Sequence, residues 1–408
     1  MATLRPFKAL RPPASRAAET SAVPYDVVST VEARQAAAGN PFSFLHVSRA
    51  EIDLAEGIDP YSDAVYRKAS ESYERLKLDC PLITEEIPSL YIYRLQMGDH
   101  VQTGIAGCFS IAEYDSGLIR KHERTRKDKE DDRTRHILTL GAQTGPVFLT
   151  YRDRAEIDGL VLRAMSPNPL YDFSAADAIR HTVWRVDNTT TARLVEEFRN
   201  APRLYIGDGH HRAASASRAS AKLESENTGA GDEHRYFLAV AFPAAQLQIL
   251  PYNRVVKDLG EIGAGDFLKA VSGRLQVTED AKPVPDGKGQ ISMYLNGRWY
   301  GLRSNGSTGN SRDRISSLDV SVLQEEVLDP VLDIRDVRTD KRVDFVGGIR
   351  GTIELERQVD EGKAFAAFSM HPVSVEDLMA IADADEIMPP KSTWFEPKLR
   401  DGLLIHQI

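Results

Sequence analysis

The chain has 408 residues, 42% hydrophobic and 27% charged, so it can form a packed core and is expected to comprise two or three domains. Its 51 lysines and arginines are outnumbered by 60 acidic residues, and this net charge of -9 argues against general nucleic-acid binding. The chain has only two cysteines, Cys80 and Cys108, which excludes a disulfide scaffold. It has neither a long apolar stretch nor an apolar N-terminal signal core, so we expect a soluble, cytoplasmic protein without a membrane partner.

The first half of the chain contains patterns of both helix and strand. Ser29, followed three residues later by Glu32, forms a capping box and predicts a helix that ends at Gly39. A second helix is expected over Asp63–Leu78. Stretches rich in β-branched and aromatic residues predict strands at Leu90–Met97, Thr103–Tyr114, Val147–Tyr151 and Thr182–Val186.

The second half continues with mixed elements and two polar loops. A short strand over Leu204–Ile206, a helix over Arg212–Leu223 and a hairpin that turns at Asn296-Gly297 are expected. Further predicted elements are a strand at Tyr236–Phe242, helices at Ser317–Leu328, Thr352–Val359 and Ser374–Ala382, a strand at Ala364–Met370, and loops at Glu224–Glu233 and Asn305–Arg312. This mixture indicates an α+β fold, which we divide into residues 1–258 and a C-terminal α/β portion, 259–408, that contributes to the site.

The clearest motif is Gly207-Asp208-Gly209-His210-His211-Arg212, where a predicted strand runs into a predicted helix. Unpaired backbone N–H groups and the helix dipole make such a start a natural anion site, and the glycines allow close approach of a phosphate. Arg212 adds a bidentate donor. Alternatively, Asp208 only caps the helix and the histidines are surface residues, but the complete six-residue set favours phosphate binding.

A charged segment, Arg120–His136, holds eight lysines or arginines and five acidic residues. A solvated helix would explain it, but opposite charges do not alternate at helical spacing, and His122 and His136 stand near its ends. We therefore predict that this segment lines the same pocket as the Gly207–Arg212 turn.

Two weaker patches lie further along the chain. Thr339–Gly348 contains Lys341 and Arg342, and Met388–Lys398 contains Lys391, Ser392 and Trp394. Each either helps to bind an anionic substrate or is only a turn and a packed tail, and the residues by themselves favour the second interpretation. The sequence contains no Walker A, three-glycine Rossmann, HExxH or GxSxG motif. The standard nucleotide-binding folds, zinc proteases and serine hydrolases that carry these motifs are therefore disfavoured.

Several segments resemble, in family order, the signatures of the domain-of-unknown-function 1015 family. They are Arg5–Pro12, Pro24–Val28, Asn40–Leu45, Lys121–His136, Gly207–Arg212, Thr339–Gly348 and Pro389–Lys398. The Asp-Gly-His-His-Arg element is also similar to the phosphate-binding turn of the ParB/sulfiredoxin superfamily, which includes free-serine kinases of the SerK type.

This resemblance implies a phosphotransferase on a ParB/sulfiredoxin-like mixed core with a large additional α/β portion. The implied small-molecule substrate is free L-serine, converted to O-phospho-L-serine with ATP, ADP or pyrophosphate as donor. No cysteine lies near the turn, which disfavours sulfinic-acid repair, and no basic helix-turn-helix stands out, which disfavours partition-type DNA binding.

In this interpretation the donor phosphates bind at Gly209, His210, His211 and Arg212, assisted by Arg126 or Arg133. Asp208 is the favoured base, Glu123 the rival, and His210 a further catalytic candidate. Mg²⁺ is expected to bridge donor oxygens and a carboxylate, and its protein ligands are left open. The oligomeric state of the protein is left open as well. The candidate substrate-binding residues are Lys121, His122, His136, Lys341, Arg342, Lys391, Ser392 and Trp394.

Two other functions are open at this point. One is a non-catalytic nucleotide- or phosphate-binding regulatory protein that uses the same turn. The other is an interaction protein that docks through Arg120–His136. Neither needs a positioned base, so convergence of Asp208, Glu123 and Arg212 in one concave pocket would favour the enzyme.

Overall fold

The computed structural model describes residues 2–226, 231–305 and 313–408, so parts of the predicted loops at Glu224–Glu233 and Asn305–Arg312 lie outside the described residues. Contacts between Cα atoms divide the chain into two compact units. The first is Met1–Leu247 together with Pro397–Ile408, and the second is Gln248–Glu396. The predicted division into residues 1–258 and 259–408 stays a prediction.

The first unit is built on a mixed β-sheet. Its strands are β1 (Leu4–Arg5), β2 (Leu10–Arg11), β3 (Ile83–Thr84), β4 (Tyr91–Met97), β5 (His100–Ser110), β6 (Ile119–Arg120), β7 (Ala142–Gln143), β8 (Val147–Tyr151), β9 (Tyr171–Ser174), β10 (Arg180–Arg185), β11 (Leu204–Asp208) and β12 (Tyr236–Pro243). Within the described residues, nine of them form one sheet in the order β6-β11-β8-β12-β5-β4-β10-β9, with β1 paired to β5. Strand β11 is parallel to β6, and β12 is parallel to β8, whereas the other neighbours are antiparallel.

Helices pack on this sheet because its central strands are apolar on both faces. The helices are α1 (Ala17–Thr20), α2 (Thr30–Ala37), α3 (Leu45–Ser48), α4 (Asp63–Asp79), α5 (Ile111–Asp115), α6 (Lys127–Leu140), α7 (Ala155–Ala164), α8 (Asn188–Arg199) and α9 (His210–Ser225). All five residues of β8 are buried. One apolar cluster joins Leu149 and Ile206 of the sheet to Leu160 of α7, Phe198 of α8 and Ala213 of α9. The small residues of α9 bring this helix close to the sheet and so position its first turn.

The second unit contains another sheet. Its strands are β13 (Gln248–Leu250), β14 (Tyr252–Val256), β15 (Leu275–Glu279), β16 (Gln290–Leu295), β17 (Arg298–Ser304), β18 (Val343–Gly347), β19 (Ala366–Met370) and β20 (Trp394–Glu396), and its helices are α10 (Ala264–Ser272), α11 (Asp319–Leu323), α12 (Asp329–Leu332), α13 (Gly351–Asp360) and α14 (Val375–Asp383). Among the described residues, six strands pair antiparallel in the order β15-β17-β16-β19-β14-β18. The predicted hairpin is confirmed, since Asn296 and Gly297 both adopt positive φ between β16 and β17, as a type I′ turn requires.

The last residues of the chain return to the first unit, where β21 (His406–Gln407) pairs with β7. Asp401 exchanges two backbone hydrogen bonds with Ala22, of 2.9 and 3.1 Å, and the N–H of Gly402 donates to the carbonyl of Thr144 at 3.0 Å. These backbone contacts fix the position of the Asp401 side chain within the first unit.

The α+β prediction is confirmed, and so is the capping box, in which Ser29 and Glu32 bond each other's backbone at the start of α2. The strand predicted over Thr103–Tyr114 is wrong at its end: the Ser110 hydroxyl accepts from the N–H of Glu113, and this N-cap begins α5 at Ile111. The cap therefore outweighs the β-propensity of the residues that follow. In the part of the chain that the structure describes, no helix has the length and hydropathy to cross a membrane.

Candidate functional site

The Gly207–Arg212 turn joins β11 to α9 as predicted. Gly209 adopts φ +90° between Asp208, the last residue of β11, and His210, the first of α9. The first bond of the helix at this end runs from the N–H of Ala213 to the carbonyl of Gly209 at 3.0 Å. The N–H groups of His210, His211 and Arg212 therefore precede the intrahelical ladder and, with the helix dipole, favour a bound anion.

Glycine is required at position 209 for two reasons, its positive φ and the approach of Arg212, whose Nε would lie 2.9 Å from an added Cβ. We expect Gly209→Ala to lower the free energy of unfolding by about 2 kcal/mol, because the left-handed conformation alone costs a residue with a Cβ roughly 1–2 kcal/mol. Urea unfolding measures the change. Gly39→Ala is the matched control, since Gly39 has φ +75° with open space around it. Equal losses in the two variants would show that Arg212 moves away without cost.

Asp208 forms ion pairs with two buried cations. Its Oδ2 lies 3.3 Å from Nη2 of Arg212 and 3.2 Å from Nζ of Lys398. Burial opposes ionisation of this carboxyl, but Lys398 and Arg212 outweigh it and hold its pKa well below the usual range. Asp208 is consequently a stable anion that positions two cations, and a weak proton acceptor. Its predicted role as base stays a prediction that this electrostatic environment disfavours.

A cavity next to the turn brings together residues from distant parts of the sequence. Arg133, His136, Gly145, Arg212 and Asp401 line it, together with Tyr25. Arg133 and His136 of the Arg120–His136 segment thus line one cavity with Arg212 of the turn, whereas Asp208 and Glu123 are not among the described residues that line it. The convergence of Asp208, Glu123 and Arg212 in this cavity is therefore not observed, and the functional roles of these residues stay predictions.

The two arginines of the cavity are held in fixed orientations. Arg212 donates from Nη1 to the carbonyl of Pro146 and from Nη2 to Asp208. Arg133 pairs with Asp132 at 2.8 Å, and its guanidinium lies 4.2 Å from the ring centre of Tyr25. Buried, oriented guanidinium groups bind phosphate oxygens in a bidentate manner.

Asp401 is the residue of this cavity that the sequence analysis missed. Its Oδ1 is buried and has no hydrogen-bond partner within the described residues. Burial raises the pKa of its carboxyl, Arg212 lowers it and the nearby Asp26 raises it, and the net result is a pKa of about 7. A carboxyl with this pKa can accept a proton near neutral pH. The signal in the sequence was a single carboxylate in a segment whose neighbours Leu399 and Leu403–Ile405 are apolar.

A second cluster lies at the start of α9. The rings of His122 and His210 are perpendicular with centroids 4.5 Å apart, and Glu123 completes a group whose ligand atoms all lie within 4.8 Å of one another. Burial lowers the pKa of His122 to about 4 and that of His210 well below its usual value. Both imidazoles are therefore neutral at pH 7.

The pairing of β6 with β11 explains why these distant residues meet. The two strands are parallel, with Arg120 opposite Tyr205, so the residues after β6 lie beside those at the end of β11. His122 hydrogen-bonds the backbone of Ile206. The parallel pairing of β6 and β11 thus brings His122 and His210 together at the edge of the sheet.

The other predicted residues of the charged segment have different surroundings. The backbone N–H of Arg126 donates to Nε2 of His211 at 3.0 Å, but its guanidinium is exposed and pairs with Asp128. Nζ of Lys121 lies 3.7 Å from the ring centre of Tyr114. His136 is buried, with Nε2 3.0 Å from the carbonyl of Val47. Arg133, rather than Arg126, therefore places its charge in the cavity.

Five predicted substrate-binding residues belong to the second unit. Arg342 pairs with Asp340 at 2.6 Å, Ser392 donates to the carbonyl of Pro389 at 2.6 Å, and Trp394 donates to Glu396 at 2.8 Å. Lys391 lies 5.4 Å from the ring centre of Tyr252, also in this unit, and Lys341 is exposed. A substrate-binding role for these five residues stays a prediction.

Comparison with known proteins identifies a family. A family model described as "Protein of unknown function (DUF1015)" matches residues 4–321, which is more than half of the chain. No curated protein matches the chain.

Solved structures show a distant similarity. A free serine kinase in complex with AMP is 12% identical with a TM-score of 0.38 and covers 73% of this chain and 91% of its own. A conserved hypothetical protein from Pyrococcus furiosus is 14% identical with a TM-score of 0.36, covering 73% and 94%. SbnI with C-terminal truncation from Staphylococcus aureus is 12% identical with a TM-score of 0.39, covering 72% and 85%. We infer no function from likenesses this distant.

Proposed function

The chain belongs to the DUF1015 family, and from the geometry of its site we propose that it is a phosphotransferase acting on a small alcohol, free L-serine, to form O-phospho-L-serine. The observation that carries this proposal is the cavity in which Arg133 and Arg212 accompany Asp401, whose pKa is about 7. Two buried guanidinium groups suit a phosphorylated donor, and a carboxylate that titrates near neutrality suits the proton of a hydroxyl.

Our proposals for the acceptor and for the type of core rest on a resemblance of the Asp208–Arg212 motif. This element resembles the phosphate-binding turn of the ParB/sulfiredoxin superfamily, whose members include free-serine kinases. We propose that β11, the turn and α9 form the corresponding part of a ParB/sulfiredoxin-like core. The left-handed Gly209 and the helix start of α9 support this assignment, because both are needed for backbone N–H groups to face a phosphate.

The proposed reaction is an in-line displacement at phosphorus. The hydroxyl oxygen of serine forms a bond to the terminal phosphorus of ATP, ADP or pyrophosphate, and the bond from that phosphorus to the bridging oxygen breaks. The leaving group, ADP, AMP or phosphate respectively, takes the electron pair. The hydroxyl proton passes to Asp401, while Arg133, Arg212 and the first N–H groups of α9 stabilise charge on the transferred group.

We propose Asp26 as a carboxylate ligand for Mg²⁺. Asp26 is exposed and close enough to Asp401 to raise its pKa, and carboxylate oxygens are the ligands that Mg²⁺ takes in proteins. When bound there with the donor, Mg²⁺ would neutralise charge on the phosphates. Asp208 and Glu123 are the alternative bases, and the low pKa of Asp208 makes it the weaker acceptor.

The test is direct. Purified protein is incubated with L-serine, Mg²⁺ and ATP, ADP or pyrophosphate in turn, and O-phosphoserine is followed by ³¹P NMR. Formation of O-phosphoserine with at least one donor is expected. Donor binding without any product would refute the transferase and favour a regulatory phosphate-binding protein.

Arg212 should dominate binding of the donor, because its guanidinium is buried and held by Pro146 and Asp208. We expect Arg212→Ala to weaken donor binding by about 2 kcal/mol, roughly 30-fold, as measured by isothermal titration calorimetry. Arg126→Ala is the matched control, since that guanidinium is exposed and pairs with Asp128. If the two substitutions weakened donor binding equally, the donor phosphates would not be bound by Arg212 in this cavity.

A further inference from the structure

We propose that His122, Glu123 and His210 form a binding site for a divalent transition-metal ion of the Zn²⁺ type. Two imidazoles and a carboxylate are a donor set that such ions take, and the three ligand atoms already lie within 4.8 Å of one another. Mg²⁺ and Ca²⁺ prefer all-oxygen sites and suit this set less well. The proposal does not rest on phosphoryl transfer.

His210 carries the first independent observation. Its side chain is buried, with 6% of the residue exposed, and its Nε2 has no hydrogen-bond partner among the described residues. A buried polar atom without a partner is unfavourable, so such an atom next to two other ligand groups points to a bound species.

The second observation is a hydrogen bond between His122 and the backbone. His122 hydrogen-bonds the backbone of Ile206 on β11. Histidines that bind metals commonly donate their other ring N–H to a carbonyl or carboxylate, which sets the tautomer and the orientation of the ring. The parallel pairing of β6 with β11, together with this hydrogen bond, thus orients His122 within the cluster.

The charges around the cluster are mixed. Asp208 raises the pKa of both histidines, and Glu123 brings a carboxylate into the cluster itself. Lys121 and His211 act in the opposite direction on His210. Burial lowers the pKa of Lys121, and its ammonium lies against the ring of Tyr114. Asp208 and Glu123 thus contribute negative charge to the cluster, although Asp208 also pairs with Arg212 and Lys398.

Binding would tighten the cluster slightly. Bonds of about 2.0–2.2 Å to a tetrahedral ion place ligand atoms about 3.5 Å apart, so side-chain rotations draw the three groups together. Three protein ligands leave a fourth position open for water or for an oxygen of an anion at the start of α9.

The experiment uses the untagged full chain, stripped with EDTA, without serine or a phosphoryl donor. Co²⁺ is titrated as a spectroscopic probe and Zn²⁺ by competition. We expect one ion per chain with a Kd of about 1 µM or tighter, and visible d–d absorption of a low-coordinate Co²⁺ site. Excess Mg²⁺ should not displace it. Absence of Co²⁺ and Zn²⁺ binding, or displacement by equimolar Mg²⁺, would overturn the proposal.

Variants locate the ion. His122→Gln, Glu123→Gln and His210→Gln should each weaken Co²⁺ binding at least about tenfold. His46→Gln is the control, because His46 forms an ordinary pair with Asp53 at 2.9 Å and should leave the affinity unchanged. Glu123 is only half-buried, so its variant keeps the test decisive if a histidine variant unfolds. Unchanged affinity in Glu123→Gln and His122→Gln would refute the site, whether or not the protein phosphorylates serine.

Discussion

Asp401→Asn is expected to lower the turnover of serine phosphorylation by about a hundredfold or more, the scale on which loss of a general base acts. The wild-type rate should rise with pH and reach a plateau above an apparent pKa near 7, because Asp401 must be ionised to accept the hydroxyl proton. The variant should lose this titration. Initial rates between pH 5.5 and 9 measure both effects.

The same substitution should stabilise the protein at high pH. The carboxyl of Asp401 has a pKa of about 7 in the folded chain and about 3.9 when unfolded, so the folded state binds more protons between these values. The free energy of unfolding of the wild type therefore falls as pH rises through this window. Above pH 7 the loss caused by ionising the buried Asp401 is complete. We expect Asp401→Asn to be more stable than the wild type at pH 8, by on the order of 3 kcal/mol, and to lose this advantage near pH 4.

Asp158→Asn provides the comparison for Asp401. Burial raises the pKa of Asp158 on α7, but this residue does not line the cavity of Arg133 and Arg212. The turnover of the Asp158→Asn variant should match that of the wild type. Full turnover in Asp401→Asn would return the role of base to Glu123 or Asp208, and equal losses in both asparagine variants would indicate a general defect.

Asp208→Asn is expected to lower the free energy of unfolding by about 3 kcal/mol. The substitution removes the anion shared by Arg212 and Lys398, whose side chains are only 10% and 11% exposed, and leaves two buried cations without this partner. Urea unfolding of the full chain measures the loss. Asparagine preserves the size of the side chain, so the effect reports the charge.

An exposed pair gives the reference value for Asp208. Asp172 and Arg180 lie 2.7 Å apart with side chains 35% and 53% exposed, and Asp172→Asn should change stability by less than about 1 kcal/mol. A loss of similar size in the two variants would mean that solvent, rather than Asp208, compensates Arg212 and Lys398.

Short-range chemistry was sufficient to predict several parts of the molecule. Ser29 and Glu32 satisfy each other's backbone, Asn296-Gly297 accepts the two positive φ angles of a tight hairpin, and Gly209 permits the left-handed residue before α9. Each of these features depends on residues a few positions apart, so the pattern of side chains contains the information. The strand–turn–helix geometry of Gly207–Arg212 was predictable for the same reason.

The partners of that turn depended on the tertiary structure. Asp401 reaches the cavity because the tail bonds Ala22 and Thr144, and His122 meets His210 because β6 lies parallel to β11. The pKa values that distinguish Asp401 from Asp208 arise from burial and from the positions of Arg212 and Lys398. Strand order, chain path and desolvation result from packing across the whole unit. The local sequence around an aspartate does not reveal whether its carboxylate will pair directly with two cations, as that of Asp208 does, or be buried with an oxygen that has no hydrogen-bond partner among the described residues, as that of Asp401 is.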